Sequence, residues 1–370
     1  MQGADPELFR KKKGDESAAG VLPGFLLLCE KVGREPRFPG SLRAWKKTGD
    51  RNSKMHKPSI WRSERVKTLF PYALLVIPPL CWGGNAVLAR GVVDILPPVS
   101  FAFWRWCIAF AILFPFTHHT LKKDWGAVLK SWKMILVLSF FGIACFNTLL
   151  YRAAHTTTAI NISLIQTIMP AMIILISRAI FKETVKGLQL SGVILSIAGA
   201  VLIALKGKWN TLITMSFTEG DMLMLLAVLT YALYSALLRK RPAVNPLSFL
   251  TVTFGIGTLM LLPLYVLELL WTGGFPLEHA AILSIVYVAL FPSIIAYFCW
   301  NRGIELIGAN KAGLFMNLTP VFATAMAIIF LGESLEAFHV VGMVFIFGGM
   351  ILFNRRGSKL SSFSVKKQDV

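Results

Sequence analysis

The sequence has few charged residues for its length. Only 15% of its 370 residues are Asp, Glu, Lys or Arg, whereas 55% are hydrophobic and the mean hydropathy is +0.63. A typical soluble domain has about 25% charged residues. The composition therefore excludes an ordinary soluble domain and indicates a membrane protein.

The sequence also lacks the residue sets that catalysis or metal binding requires. It contains no glycine-rich phosphate loop of the GxxxxGK[ST] kind, and no nucleophile is paired with a base. The histidines are scattered over loops. The five cysteines show no metal-type spacing and fit small apolar positions: Cys29, Cys81, Cys107, Cys145 and Cys299. We therefore expect no enzyme activity, no ATP-driven transport, no metal and no cofactor.

The net charge of +19 is concentrated at the two ends of the chain. Residues 1–69 hold 16 Lys/Arg and 8 Asp/Glu, a net +8, and residues 354–370 hold 5 and 1, a net +4. Positive charge is retained on the cytoplasmic side of membranes, so this distribution favours two cytoplasmic tails and not a nucleic-acid partner.

Apolar runs recur along the chain, each near the roughly 20 residues that a helix needs to cross the hydrocarbon core. We predict ten spans: 70–89, 98–116, 134–153, 158–180, 188–205, 220–238, 247–270, 281–301, 309–331 and 337–353. Lys and Arg concentrate in the intervals 117–133, 178–187, 239–246 and 302–311, which we expect to be cytoplasmic loops. This distribution of Lys and Arg fits ten spans with both termini in the cytoplasm. We expect the protein to lie in the inner (cytoplasmic) membrane.

The two halves of the chain resemble each other at an ungapped spacing of 150 residues. The matched pairs include Arg152/Arg302, Ala159/Ala309, Leu164/Leu314, Pro170/Pro320, Glu183/Glu333, Gly192/Gly342, Gly199/Gly349 and Leu202/Leu352. Five spans in each half force the halves into opposite orientations. The predicted fold is therefore an all-α membrane protein of ten transmembrane helices, built as two inverted five-helix repeats, an arrangement typical of alternating-access carriers.

The repeats define the domain boundaries. We place the first repeat at residues 69–205, a linker at 206–219, the second repeat at 220–353 and a basic cytoplasmic tail at 354–370. Residues 1–68 form a basic segment that we expect to be disordered and cytoplasmic. Its first 54 residues precede a second basic leader that starts at Met55, so they represent either an upstream start or an interaction tail.

Recognisable motifs recur in the same order in both halves. The first half carries Leu80-Cys-Trp-Gly-Gly-Asn, Phe103-Trp-Arg-Trp and Tyr151-Arg-Ala-Ala. The second carries Trp300-Asn-Arg-Gly, Leu318-Thr-Pro and Leu331-Gly-Glu. This ordered set resembles the motifs of the EamA-type transporters of the drug/metabolite transporter superfamily. The seventh span departs from the pattern, since no arginine there matches Arg105. The resemblance covers about residues 68 to 355 and implies a carrier of small polar metabolites, commonly amino acids or related compounds, usually in the efflux direction.

Polar residues inside the spans are the candidate binding residues. Pro170 and Pro320 remove backbone hydrogen bonds at matched positions, so they either open the helices toward a midplane site or simply bend them. Amides in hydrocarbon must find partners, so they either line a polar cavity or link helices. We predict a substrate site drawn from Trp82, Asn85, Arg105, Asn161, Gln166, Tyr231 and Asn317.

Arg105 has two interpretations. Its planar guanidinium could bind a substrate carboxylate. Alternatively, it could snorkel to the outer surface or pair with Trp104 or Trp106. Tyr151 and Trp300 lie near span ends, which favours interfacial anchors, whereas the deeper Trp82 and Tyr231 fit a cavity wall.

The oligomeric state is open from sequence. Gly192/Gly199 and Gly342/Gly349 each share a helix face and could form either a dimer seam or a tight contact within each half. We expect a monomer or a homodimer in the lipid bilayer with a small-molecule substrate. A membrane receptor or scaffold that binds a ligand without moving it is the alternative function.

Overall fold

The computed structural model of the protein describes residues 64–208, 210, 218–331 and 334–354. The regular structure in these ranges is helical, without strands. The predictions for residues 1–63, for the linker residues 211–217, for Glu333 and for residues 355–370 lie outside the described residues.

The helices fall into two equivalent series. The first half contains α1 (Glu64–Gly91), α2 (Pro98–Lys130), α3 (Trp132–Ser139), α4 (Phe146–Thr156), α5 (Ala159–Gln166), α6 (Met169–Phe181) and α7 (Gly187–Ala204). The second half contains α8 (Glu219–Leu237), α9 (Pro246–Thr272), α10 (His279–Val288), α11 (Ala296–Ile307), α12 (Ala309–Gly313), α13 (Thr319–Leu331) and α14 (Ala337–Asn354). Every predicted span overlaps one of these helices or a consecutive pair.

Eight helical segments in the described residues are long and apolar enough to cross a membrane. The segments that correspond to the first and ninth predicted spans, α1 and α12–α13, are not among these eight. Three prolines interrupt the apolar run of α1, and a 3₁₀ segment separates α12 from α13.

The prediction that residues 117–133 form a loop is wrong. Helix α2 continues to Lys130, and α3 starts at Trp132 after one intervening residue. A straight helix of 33 residues is about 50 Å long, whereas the hydrocarbon core is about 30 Å thick. The basic interval is therefore an extension of the helix beyond the core.

Helices α2 and α9 occupy equivalent positions in the two halves and run antiparallel. At one end, the Glu268 carboxylate of α9 accepts hydrogen bonds from the backbone amides of Val99 and Ser100 at the start of α2, over 3.0 and 2.6 Å. At the other end, Asp124 of α2 accepts from the backbone amide of Asn245, just before α9, over 3.0 Å. Antiparallel equivalent helices are what an inverted repeat requires.

Helices α7 and α14, also equivalent, pack against each other through their glycines. A Cβ placed on Gly192 would lie 2.6 Å from the carbonyl oxygen of Gly349, and one on Gly199 would lie 2.5 Å from that of Gly342. The four glycines are thus paired reciprocally between the two halves. Of the two interpretations, the contact within each half is wrong, because these glycines pack one half of the chain against the other.

Spans 3, 4, 8 and 9 are interrupted at equivalent places. A π-helical segment, Phe140–Cys145, separates α3 from α4, and another, Ala289–Ile295, separates α10 from α11. In span 4 the helix breaks between Gln166 and Met169, immediately before Pro170. In span 9 a 3₁₀ segment, Leu314–Leu318, immediately precedes the helix that contains Pro320. π-Segments are frequent at functional sites, so these breaks direct attention to the centre of the bundle.

Candidate functional site

The side chain of Arg105 is fully buried among the helices of both halves. Its exposed fraction is 0%, so it does not snorkel to the surface and that interpretation is wrong. The guanidinium carbon lies 4.7 Å from the centre of the Trp106 ring, which agrees with the predicted pairing with Trp106. Because insertion of an arginine at a helix centre costs roughly 2.5–3.5 kcal/mol, such a position requires compensating partners.

The partners of Arg105 come from both halves. From the first half, Asn147 Oδ1 and the Tyr151 hydroxyl each accept from Nη1 over 2.7 Å, and Asn85 Oδ1 lies at 3.5 Å. From the second half, the Ser293 hydroxyl accepts from Nε over 2.6 Å and the Pro292 carbonyl from Nη2 over 2.9 Å. The guanidinium therefore joins the two repeats at one point.

The π-segments provide part of this site. Ser293 and Pro292 belong to the second π-segment, and the Ser293 hydroxyl also donates to the Val288 carbonyl over 2.6 Å. That carbonyl is the one that Pro292, lacking an N–H, cannot bind. In the first π-segment, the carbonyl of Gly142 accepts from the Tyr297 hydroxyl over 2.6 Å.

All these partners are electrically neutral. Within the described part of the chain, Arg105 forms no ion pair with Asp or Glu. An arginine side chain keeps its charge in proteins, and a buried charge without an opposite charge is costly. The arrangement is therefore suited to an anionic group supplied by a ligand.

An aromatic cluster adjoins the guanidinium. The Trp82 indole donates to the same Pro292 carbonyl over 3.0 Å, and its ring centre lies 5.6 Å from Tyr231, 6.1 Å from Tyr297 and 5.4 Å from Trp300. The Tyr231 hydroxyl is buried, and the Tyr231 ring centre lies 6.0 Å from that of Tyr297. The cluster offers apolar ring faces and tyrosine hydroxyls next to a cation.

The structure brings four predicted site residues together, namely Trp82, Asn85, Arg105 and Tyr231. Asn161 and Asn317 form hydrogen bonds with residues outside this group. Asn161 donates to both carboxylate oxygens of Asp221 over 2.9 and 3.1 Å. Asn317 donates to the Ser196 hydroxyl over 3.0 Å. Gln166 is half-buried at the break before Pro170.

Several site residues were not predicted. Tyr151 and Trp300 are fully buried in the site, so the prediction that they are interfacial anchors is wrong. Asn147 and Tyr297 also belong to the site and are not among the predicted binding residues. Ser293 and Pro292 were missed, although a proline followed by a serine inside an apolar span is a recognisable sign of a modified helical turn.

The two ends of the bundle differ. At the end where α2 begins and α9 ends, a cavity of about 650 Å³ is lined by residues that include Asp94, Arg152, His155, Glu268 and Trp271. At the opposite end, Glu183 pairs with Arg239 and accepts from Asn310 over 2.7 Å. There, Glu305 also pairs with Arg241 over 2.6 Å and with Arg302 over 2.7 Å. One end thus contains a cavity, and the other contains ionic contacts.

A resident metal ion has no ligand set in the part of the chain that the structure describes. No group of three or more His, Cys, Asp or Glu side chains there could hold one.

Comparisons with known proteins agree with this architecture. The model of the EamA-like transporter family matches residues 69–205 and 218–355. The Bacillus subtilis strain 168 protein YyaM, named an uncharacterized transporter, is 29% identical over 289 residues, which are 77% of this chain and 94% of that protein.

Two further comparisons concern a named exporter and a solved structure. A Streptantibioticus cattleyicolor protein named "Probable terminal-alkyne amino-acid exporter" is 26% identical over 226 residues, 60% of this chain and 73% of that protein. A crystal structure of a protein matches with a TM-score of 0.60 at 17% identity, over 81% of this chain and 100% of that chain, which shows the fold alone.

Proposed function

Because this chain belongs to the EamA-like transporter family, we propose that it is a secondary carrier that moves a small polar metabolite, an amino acid or a related compound, out of the cell. The family predicted from the sequence motifs is confirmed, and with it a multi-pass membrane protein. The substrate class draws support from the exporter named among its relatives.

The buried cation that joins both halves is the observation that carries this proposal. Arg105 donates hydrogen bonds to Asn147 and Tyr151 of the first repeat. It also donates to the Ser293 hydroxyl and the Pro292 carbonyl of the second. A substrate carboxylate that replaces some of these neutral acceptors would loosen the contact between the repeats. Substrate binding would then favour the relative movement that alternating access needs.

The two ends of the bundle fit one conformation of such a carrier. The cavity beside Glu268 would be the opening on the outer side, and the ion pairs of Glu183 and Glu305 would close the inner side. We propose ten transmembrane helices with both termini in the cytoplasm, in the cytoplasmic membrane. The Lys and Arg residues of the intervals 117–133, 178–187, 239–246 and 302–311 support this orientation.

A flux measurement tests the proposal. The purified chain is reconstituted in vesicles, and efflux of labelled amino acids, nucleosides and cationic compounds is screened against protein-free vesicles. We expect saturable efflux of a carboxylate-bearing member of the amino-acid group. Binding of such a compound without any flux would instead favour the alternative, a membrane receptor or scaffold.

We also propose that the protein is a monomer or a homodimer. The glycine faces of α7 and α14 are occupied by each other, so a homodimer would need another surface. The substrate is proposed to be a small molecule and the surroundings a lipid bilayer, with no nucleic-acid partner.

A further inference from the structure

The charge balance at Arg105 restricts the ligand. The site contains one guanidinium and, within the described residues, neutral hydrogen-bonding partners only. A ligand with one carboxylate makes the occupied site neutral. An uncharged ligand leaves the cation uncompensated, and a dianion leaves one negative charge buried, so both fit less well.

Within the described residues no carboxylate pairs with Arg105, so an ammonium group beside the guanidinium would have no opposite charge there. Asp221 already accepts hydrogen bonds from Thr157, Asn161 and Thr218. Glu268 is engaged by the start of α2. The α-ammonium of an amino acid sits next to its carboxylate and would therefore approach Arg105, where like charges repel each other strongly in an apolar interior.

The aromatic cluster indicates what else the ligand carries. Arg105 Nη2 and the Trp82 indole nitrogen donate to the same Pro292 carbonyl, over 2.9 and 3.0 Å, so the cation and the rings are direct neighbours. The Trp82 ring lies edge-on to Tyr231. Such a wall accepts an aromatic or alkyl body. Aromatic faces also attract cations, which makes an amine the competing ligand to be tested.

We infer that the preferred substrate is a monoanion with one carboxylate attached to an apolar, ring-sized body, and without an ammonium group. This inference rests on the proposed function, because it assigns a substrate class to the same site. It differs from that proposal in placing the deaminated compound ahead of the amino acid.

A series of three compounds with the same ring separates the possibilities. 3-Phenylpropionate carries only the carboxylate, L-phenylalanine carries both charges, and phenethylamine carries only the ammonium. Equilibrium binding to the purified chain in lipid nanodiscs is measured by tryptophan fluorescence, and exchange is then followed in vesicles with protein-free vesicles as the control for passive entry.

We expect 3-phenylpropionate to bind at least about tenfold more tightly than L-phenylalanine, and phenethylamine not to bind. If L-phenylalanine bound as tightly as 3-phenylpropionate or more tightly, the inference would be overturned. If L-phenylalanine were nevertheless exchanged in a way that depends on Arg105, the proposal that the protein is a carrier would stand. Tighter binding of phenethylamine, or no binding of any of the three, would also overturn the inference. Failure of every compound in the wider flux screen would count against the carrier itself.

Asn147→Asp provides an independent test, because it supplies an internal carboxylate to Arg105 at 2.7 Å. The variant should remain folded, since it pairs the buried charge, yet bind 3-phenylpropionate at least about tenfold more weakly. Arg178→Gln, at an exposed position of α6, is the control and should bind as the wild type. Unchanged affinity in Asn147→Asp would contradict the inference.

Discussion

Asn147 and Tyr297 lie 150 residues apart, at equivalent positions of the two repeats, and the Asn147 amide donates to the Tyr297 hydroxyl over 3.3 Å. Asn147 also accepts from Arg105, and Tyr297 donates to the Gly142 carbonyl in the first π-segment. Equivalent positions of the inverted repeats thus meet beside the buried cation. Two residues that the sequence repeat matches are therefore also hydrogen-bonded to each other in the site.

Removing the Tyr297 hydroxyl should weaken the fold around the π-segment. Tyr297→Phe leaves the Gly142 carbonyl without this donor in a buried place, which costs about 1–3 kcal/mol. Thermal unfolding in detergent measures the loss. Tyr265→Phe is the matched control, because Tyr265 stacks on Phe103 with ring centres 4.3 Å apart and should keep that contact. Equal melting temperatures for the two variants would contradict the assigned role.

Arg105→Lys should retain the charge and lose most substrate affinity. The planar guanidinium serves several acceptors at once, which an ammonium group cannot reproduce. Loss of one hydrogen bond to a charged group, about 1.5–3 kcal/mol, corresponds to about a 10- to 150-fold weaker apparent affinity. The concentration dependence of efflux gives this value. A wild-type affinity in a correctly inserted variant would show that Arg105 only supports the fold.

Gly199→Leu should reduce the amount of folded protein. Even a Cβ at this position would lie 2.5 Å from the Gly342 carbonyl oxygen, so α7 and α14 would have to separate. Overpacking of this kind costs about 1–3 kcal/mol or more. Membrane abundance by immunoblot is the measurement. At Gly126 a Cβ would meet nothing within 4 Å, so Gly126→Leu is the control and should be produced normally.

The orientation of the chain can be tested by cysteine labelling in a background without native cysteines. Leu277 and Lys123 are both exposed, near opposite ends of the bundle. A cysteine at 277 should react with an impermeant reagent in intact cells, and one at 123 only after permeabilisation. Reaction of the cysteine at 123 in intact cells, with protection at 277, would reverse the proposed topology.

Much of the fold follows from the sequence because the bilayer restricts the possible structures. Apolar runs of about 20 residues must be helical, since lipid offers no hydrogen bonds to an exposed backbone. The length of α2 was not anticipated, because Lys122 and Lys123 suit a loop as well as an exposed helix. The contact between Gly199 and Gly342 was missed because periodicity identifies a packing face and not its partner.

The site was predictable only in part. Arg105, Asn85 and Trp82 stand out because polar groups deep in an apolar span need partners. The same rule selected Asn161, whose partner is Asp221 at the start of α8. Sequence alone does not show which buried polar groups meet. Tyr151 was misplaced because its position near the end of a span suggested the interface, although the helix continues to Thr156.

Counterflow in vesicles tests the central claim most directly. Vesicles that contain the wild type, Arg105→Lys or the control Arg178→Lys are loaded with an excess of the unlabelled substrate found in the flux screen, and entry of the labelled substrate is followed. A carrier with its carboxylate site at Arg105 predicts transient accumulation for the wild type and Arg178→Lys, with much less for Arg105→Lys at limiting substrate. Absence of accumulation for the wild type, or equal accumulation for all three, would contradict the account.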